Sequence, residues 1–316
     1  MKLRSWISAL RLRTLPLSIS GILVGMSLAS VQLEYLGNSN GFWIVFCLAI
    51  LTTVLFQILS NLSNDYADFD KGTDNDKRVG PKRAVQSGEI TSLQMKKASY
   101  LVVVIAFCSA CSLVFFAKPY LTIQAQLVFI VLAILSILAA ITYTVGKRAY
   151  GYRGLGDVMV FLFFGVLSVV GSYCLFGFPV EMVVLLFACA IGFWSTAVLN
   201  LNNLRDAEND QIVGKKTIVV QLGYKRALFY HFSLILLGYL FWFLALYILV
   251  DWSGFYAFFL CMIPSVFLFG HLRRVFRCEK PEALNKELGK VALITFFSSA
   301  MLFACLRVFV FLSNNT

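Results

Sequence analysis

The chain has 316 residues, of which 59% are hydrophobic and only 14% charged, with a mean hydropathy of +0.81 and a formal charge of +11. A folded chain of this length still exposes much of its surface, so this much apolar side chain, 30 Phe included, needs lipid against it. Soluble enzymes, secreted disulfide scaffolds and disordered chains are thereby excluded.

The opening segment, residues 1–14, is basic but lacks a short apolar run ending in a small-residue cleavage site, so it reads as a helix lying on the membrane surface. A bilayer core of about 30 Å takes about 20 apolar residues per helix. Nine such runs follow, at roughly 15–31, 42–60, 98–117, 121–144, 157–176, 179–203, 227–250, 253–270 and 291–312. The stretches Phe42 to Leu59 and Leu228 to Val250 are nearly unbroken. A β-barrel would instead alternate polar and apolar residues over about ten positions. The pattern predicts a single all-α integral membrane domain over 1–316, a bundle of nine transmembrane helices. Seven of the eight Cys lie in apolar runs and read as small core residues; Cys108 and Cys111 have no His or carboxylate neighbour that would make them a metal site.

All 27 Lys and Arg except Lys118 and Arg307 fall before the first run or in the loops after the second, fourth, sixth and eighth. Basic residues are retained on the cytoplasmic face. That rule places the N-terminus and these loops (61–97 and 204–226 among them) in the cytoplasm, in a multi-pass cytoplasmic or inner membrane protein. Orientation and anionic lipid account for the positive charge, and no nucleic-acid-binding motif accompanies it.

Eight of the 16 acidic residues fall in two short segments: Asp65, Asp68, Asp70, Asp74 and Asp76 after the second run, and Asp206, Glu208 and Asp210 after the sixth. Asn64 and Asp68 are four apart and share a helical face, and Gly72 offers a break that turns Asp74 back toward them. Asn202, Asp206 and Asp210 recur at every fourth position along one face. The two halves repeat in parallel: each puts Asn-x-x-x-Asp at the end of its second helix, followed by Lys82, Arg83, Gln86 and Gly88 in one and Lys215, Lys216, Gln221 and Gly223 in the other. One acidic loop beside a membrane helix is commonly a solvated turn. Two in matching register are not. Clustered oxygen ligands without His or Cys select a hard ion, Mg²⁺ or Mn²⁺, which binds few carboxylates and completes its shell with substrate phosphate. The expected ligand is a diphosphate on a lipid tail.

The segments ALRLRTLPLS (9–18), NLSNDYADFDKGTD (61–74), GPKRAVQSGEIT (80–91), YTVGKRAYGYRGLGD (143–157) and NLNNLRDAENDQIVGKKTIVVQLG (200–223) resemble the UbiA superfamily of intramembrane prenyltransferases, and within it the enzymes that prenylate 1,4-dihydroxy-2-naphthoate. The resemblance implies Mg²⁺ held by Asn64, Asp68, Asp74, Asp206 and Asp210, with Asp65 and Asn61 beside the first stripe. It implies transfer of a polyprenyl group from its diphosphate to the naphthoate with decarboxylation, in menaquinone biosynthesis. Asp68, Asp206, Asp210 and Lys147 are then the expected catalytic residues. Asn61, Lys82, Arg83, Tyr143, Arg148, Arg153, Asn202 and Lys215 are the expected substrate contacts, although membrane-edge anchoring is the competing account of each basic group. The alternatives are a related prenyltransferase acting on 4-hydroxybenzoate, homogentisate or haem, and a secondary transporter. His231 and His271 read as structural.

Overall fold

The computed structural model describes residues 2–37, 40–75 and 78–313, so the predicted loop residues Asp76 and Lys77, and the side chain of Lys2, lie outside the described residues. A short amphipathic helix α1 (Lys2–Leu10) precedes α2 (Leu15–Tyr35), α3 (Phe42–Asp70), α4 (Ser92–Ala117), α5 (Ile123–Thr142) and α6 (Gly156–Cys174). Then come α7 (Met182–Ile212), a single turn α8 (Ile218–Leu222), α9 (Tyr224–Phe276) and α10 (Leu284–Ser313). Among the described residues nine stretches are long and apolar enough to cross a membrane, and none is a strand.

Burial differs sharply between helices. α2 and α7 are the most enclosed and α5 the most outward-facing. Small residues explain the position of α2: a Cβ added to Gly25 would lie 2.3 Å from the backbone oxygen of Val169, so the α2 and α6 backbones touch. On the other side of the core, Trp194 and Phe187 of α7 pack on Trp242 with ring centroids 5.4 and 5.0 Å apart. Cys47 and Cys108 are exposed on the outer surface, which corrects the reading of these two as core residues; their faces of α3 and α4 look away from the bundle.

The predicted seventh and eighth spans are joined without an irregular break, as the 53-residue α9. Residues 40 apart on a straight helix would be about 60 Å apart. Yet His231 Nε2 lies 2.9 Å from His271 Nε2, and Trp242 Nε1 donates to the Cys261 carbonyl at 3.2 Å. The helix therefore doubles back as an antiparallel hairpin, giving two spans. The histidine pair is buried and continues to α10, where His271 Nδ1 meets Glu287 Oε2 at 2.8 Å. This polar chain ties three spans together, with His231 Nδ1 at its end buried without a hydrogen-bond partner.

Both acidic segments begin as helix rather than loop, since α3 runs on to Asp70 and α7 to Ile212. The two helices also end alike. Gly72 and Gly214 each adopt φ 72°, and the next residue folds its N–H back: Thr73 to the Asp68 carbonyl at 2.9 Å, Lys215 to the Asp210 carbonyl at 2.8 Å. This is the glycine-terminated helix end with its six-to-one hydrogen bond, and in both cases the accepting residue is an Asp of the stripe. A third departure lies in α6, where Phe161–Leu167 is π-helical.

Trp242 is fully buried, and Trp242→Ala is expected to lower stability by about 3–5 kcal/mol through the lost packing and hydrogen bond. Thermal unfolding in detergent measures this; a change within about 0.5 kcal/mol would contradict the packing described.

Candidate active site

The polar ends of α3 and α7 meet. On α3, Asn64 accepts from Thr144 Oγ1, and Asp68 is held from two sides: Tyr152 donates its hydroxyl to Oδ1 at 2.6 Å, and Arg83 donates to Oδ2 at 2.5 Å. Tyr152 has one proton, already given to Asp68, so Thr73 must be the donor in the 2.6 Å contact between its hydroxyl and Tyr152 Oη. The turn at Gly72 brings Asp74 under the same guanidinium, 2.9 Å from Arg83 Nη1.

On α7, Arg205 grips Asp206 through Nε at 3.0 Å and Nη2 at 2.5 Å, and also donates to Asn202 and to Asn285 of α10, both at 2.7 Å. Asp210 pairs with Lys215 at 3.6 Å. Two contacts join the halves. Arg78 Nε lies 3.3 Å from Asp74 and 3.8 Å from Asp206, and Asn209 Nδ2 donates to the Thr73 carbonyl at 3.0 Å. Tyr152 is shared as well: its backbone carbonyl accepts from Lys216 N–H at 3.1 Å and its ring lies 5.5 Å from the Lys215 ammonium.

These groups head a cavity of about 1000 Å³. Its polar end is lined by Asn64, Asp68, Arg78, Lys82, Arg83, Asn202, Arg205 and Lys215, and its length by Leu113, Phe129, Leu132, Phe163, Phe164 and Leu175. Leu175 closes α6 at the end remote from the acidic stripes. The space thus runs through the bundle from a charged head to an apolar floor, the form expected of a site for an amphiphile. Asp74, Asp206 and Asp210 stand behind the cations rather than on the cavity wall.

Burial sets the electrostatics. It pushes the Asp74 carboxyl up to about 6, against the pull of Arg83 and Arg78. Burial also works against the charge of Arg83, but Asp68 and Asp74 outweigh it and hold that guanidinium above its ordinary value. Tyr152 is pushed up by burial and by the Asp68 charge, so it stays a hydrogen-bond donor. Both oxygens of Asp74, one of Asp210 and the amide oxygen of Asn209 are buried without a well-aligned hydrogen bond. Orphaned oxygens of this kind suit a hard cation, which takes oxygen donors. No preformed cluster of three or more acidic, His or Cys ligands exists among the described residues.

The structure brings Asn64, Asp68, Asp74, Lys82, Arg83, Tyr143, Asn202, Asp206, Asp210 and Lys215 to this region. It does not bring Lys147, Arg148 or Arg153, which are exposed and off the cavity wall; the chain leaves the membrane after α5 and these side chains point to solvent. Asn61 and Asp65 also line the cavity and tie down its frame, Asn61 donating to the Leu10 carbonyl at 3.0 Å and Asp65 accepting from Val85 N–H at 3.3 Å. Sequence reasoning missed Tyr152, Asn209, Arg78 and Arg11. Arg11 lines the cavity in a left-handed conformation, φ 51°, with Nη2 buried and unpaired. Its only sequence signal was its place in the segment 9–18, where it read as an anchoring charge.

Residues 18–307 match the UbiA prenyltransferase family. The chain belongs to that family. It is similar to the 1,4-dihydroxy-2-naphthoate octaprenyltransferase of Haemophilus influenzae, 38% identical over 93% of this chain and 92% of that one. It is also similar to the enzyme of the same name from Escherichia coli, 46% identical over 74% of this chain and 73% of that one. The fold is shared with a UbiA homologue from Archaeoglobus fulgidus solved with GPP and Mg²⁺, at a TM-score of 0.66, 15% identity and coverage of 96% and 99% of the two chains.

Asp74 carries a prediction for the metal-free protein. Its folded value of about 6 exceeds the ordinary 3.8, so folding takes up a proton in that window. The Asp74 contribution to stability is therefore greatest below about pH 4 and falls as pH rises through about 6, by up to about 3 kcal/mol. Asp74→Asn should flatten that slope, read by thermal unfolding in detergent with a chelator; an unchanged slope would contradict the burial cost.

Proposed function

We propose that this UbiA-family chain transfers a polyprenyl group from polyprenyl diphosphate to 1,4-dihydroxy-2-naphthoate, releasing diphosphate and CO₂ and forming the quinol of demethylmenaquinone. The relatives named above support the acceptor. The observation that carries the reaction type is the junction of the two acidic stripes, bridged by Arg78, at the head of an apolar cavity.

Asn64, Asp68, Asp74, Asp206 and Asp210 would hold Mg²⁺, with Mn²⁺ as the alternative hard ion. When bound, it supplies charge neutralisation for the diphosphate leaving group. The chain's own cations face the same space: Arg83, Arg78, Arg205 and Lys215 leave their carboxylate partners to take diphosphate oxygens, which exchanges one set of charge-assisted hydrogen bonds for another. The C1–O bond of the donor then breaks with its electron pair going to diphosphate. The electron-rich ring carbon that bears the carboxylate forms the new bond to C1, and loss of CO₂ returns an electron pair to the ring.

Water would trap the allylic cation as an alcohol, so the apolar walls from Leu113 to Phe164 matter chemically as well as for tail binding. Tyr143, half-buried on the wall, and Arg11, with its unpaired Nη2, are placed to orient the acceptor, Arg11 through the naphthoate carboxylate. Lys147 has no part in this reading because it is exposed off the cavity. The basic loops support a site on the cytoplasmic side of the cytoplasmic membrane, with the N-terminus on the same side.

Purified protein given Mg²⁺, the naphthoate and a prenyl diphosphate should form a prenylated naphthoquinol detectable by mass spectrometry. Asp68→Asn and Asp206→Asn should each lower turnover by about 10²-fold or more, and Lys147→Ala should leave it unchanged. Product from 4-hydroxybenzoate but not from the naphthoate would overturn the acceptor assignment. Full turnover in both Asn variants would overturn the metal role.

A further inference from the structure

The back of the acidic stripe carries a second, unassigned pocket. The α3 face opposite Asn64 and Asp68 presents Ser63, Tyr66, Ala67 and Asp70, spaced for one side of a helix, and these close a pocket of about 290 Å³ with α4 and the end of α5. It is lined by two basic residues, Lys71 and Lys96, and by Tyr66 and Tyr100. Ser63, fully buried, is one of its lining residues, and its Oγ has no hydrogen-bond partner. Asp70 is the carboxylate of the pocket, with one oxygen accepting from Ser92 at 2.9 Å.

Above the pocket the surface turns apolar. Tyr100, Leu101 and Val104 on α4 and Leu138 on α5 are 60, 62, 59 and 50% exposed, apolar surface on the two helices that border the pocket. The composition is thus a cationic, hydroxyl-bearing head at the membrane edge under a strip made for an acyl chain. Basic pockets between membrane helices at this depth suit lipid phosphates.

We infer that this pocket binds an anionic phospholipid of the phosphatidylglycerol type. Lys71 and Lys96 against Asp70 leave one net positive charge, which a single phosphodiester neutralises and a zwitterionic headgroup does not. The headgroup hydroxyls supply what the remaining groups lack: donors for the carboxylate of Asp70 and a partner for Ser63 Oγ. The pocket is separate from the substrate cavity but not remote from it. Lys71 also donates to the Thr144 carbonyl and lies 4.2 Å over the ring of Tyr152, whose hydroxyl holds Asp68.

The test is native mass spectrometry of the full chain, delipidated in detergent and offered equimolar phosphatidylglycerol and phosphatidylcholine. One phosphatidylglycerol should be retained in preference. Lys96→Glu should reduce that retention about tenfold, Lys96→Arg should keep it, and Lys97→Glu, the same charge change at an adjacent exposed residue off the pocket, should leave it in place. Equal retention of the two lipids would overturn the proposal. So would an equal loss in Lys96→Glu and Lys97→Glu, because the lipid would then be adsorbed by charge alone.

Discussion

Carboxylates buried at the edge of a bilayer cannot stand without cations, and this requirement organises the whole inner end of the bundle. Asp68 and Asp74 share Arg83, Asp74 and Asp206 share Arg78, Asp206 has Arg205 in addition, and Asp210 has Lys215. The result is a chain of alternating charge that links α3, the loop beyond it and α7. A buried pair is weak as a source of stability but strongly destabilising to break on one side. Removing any one partner would leave its neighbour buried and uncompensated, whereas the proposed metal diphosphate, carrying both signs, would replace all of them together.

The two helix ends show how the same local chemistry is used twice. Each stripe closes with a glycine at positive φ, and each closing hydrogen bond lands on the backbone of an Asp whose side chain belongs to the charged chain. Backbone geometry at the end of the helix and side-chain placement in the site are thus one constraint. The parallel repeat visible in the residue pattern reappears in three dimensions as a pair of equivalent corners.

Length and polarity made the nine spans legible, because an apolar run long enough to cross lipid would be costly to leave in water and too long for most soluble cores. The stripes were legible from their four-residue spacing. What the residue string left hidden has physical causes too. A basic residue at the membrane edge looks the same whether it anchors or binds: Arg83 faces two carboxylates and Arg148 faces solvent, and only the fold separates them. Tyr152 lies in a short turn with no pattern of its own, and it becomes important because Asp68, Thr73 and Lys216 converge on it. The reversal inside α9 was legible as the break between the runs 227–250 and 253–270, but not that the backbone stays helical through it.

The π-helical stretch of α6 bears on how such a cavity changes over evolutionary time. Phe161–Leu167 accommodates an extra residue per turn, and Phe163, Phe164 and Leu167 within it floor the apolar chamber. Deleting one residue there would remove the wide turn and restore an ordinary helix, with the flanking halves kept in register. Asp157, bonded to Tyr230 on one side, and Val169, packed against Gly25 on the other, would hold the ends where they are. The aromatic floor would then have to swing, so a single codon gained or lost in this stretch resizes the tail chamber without touching the acidic corners.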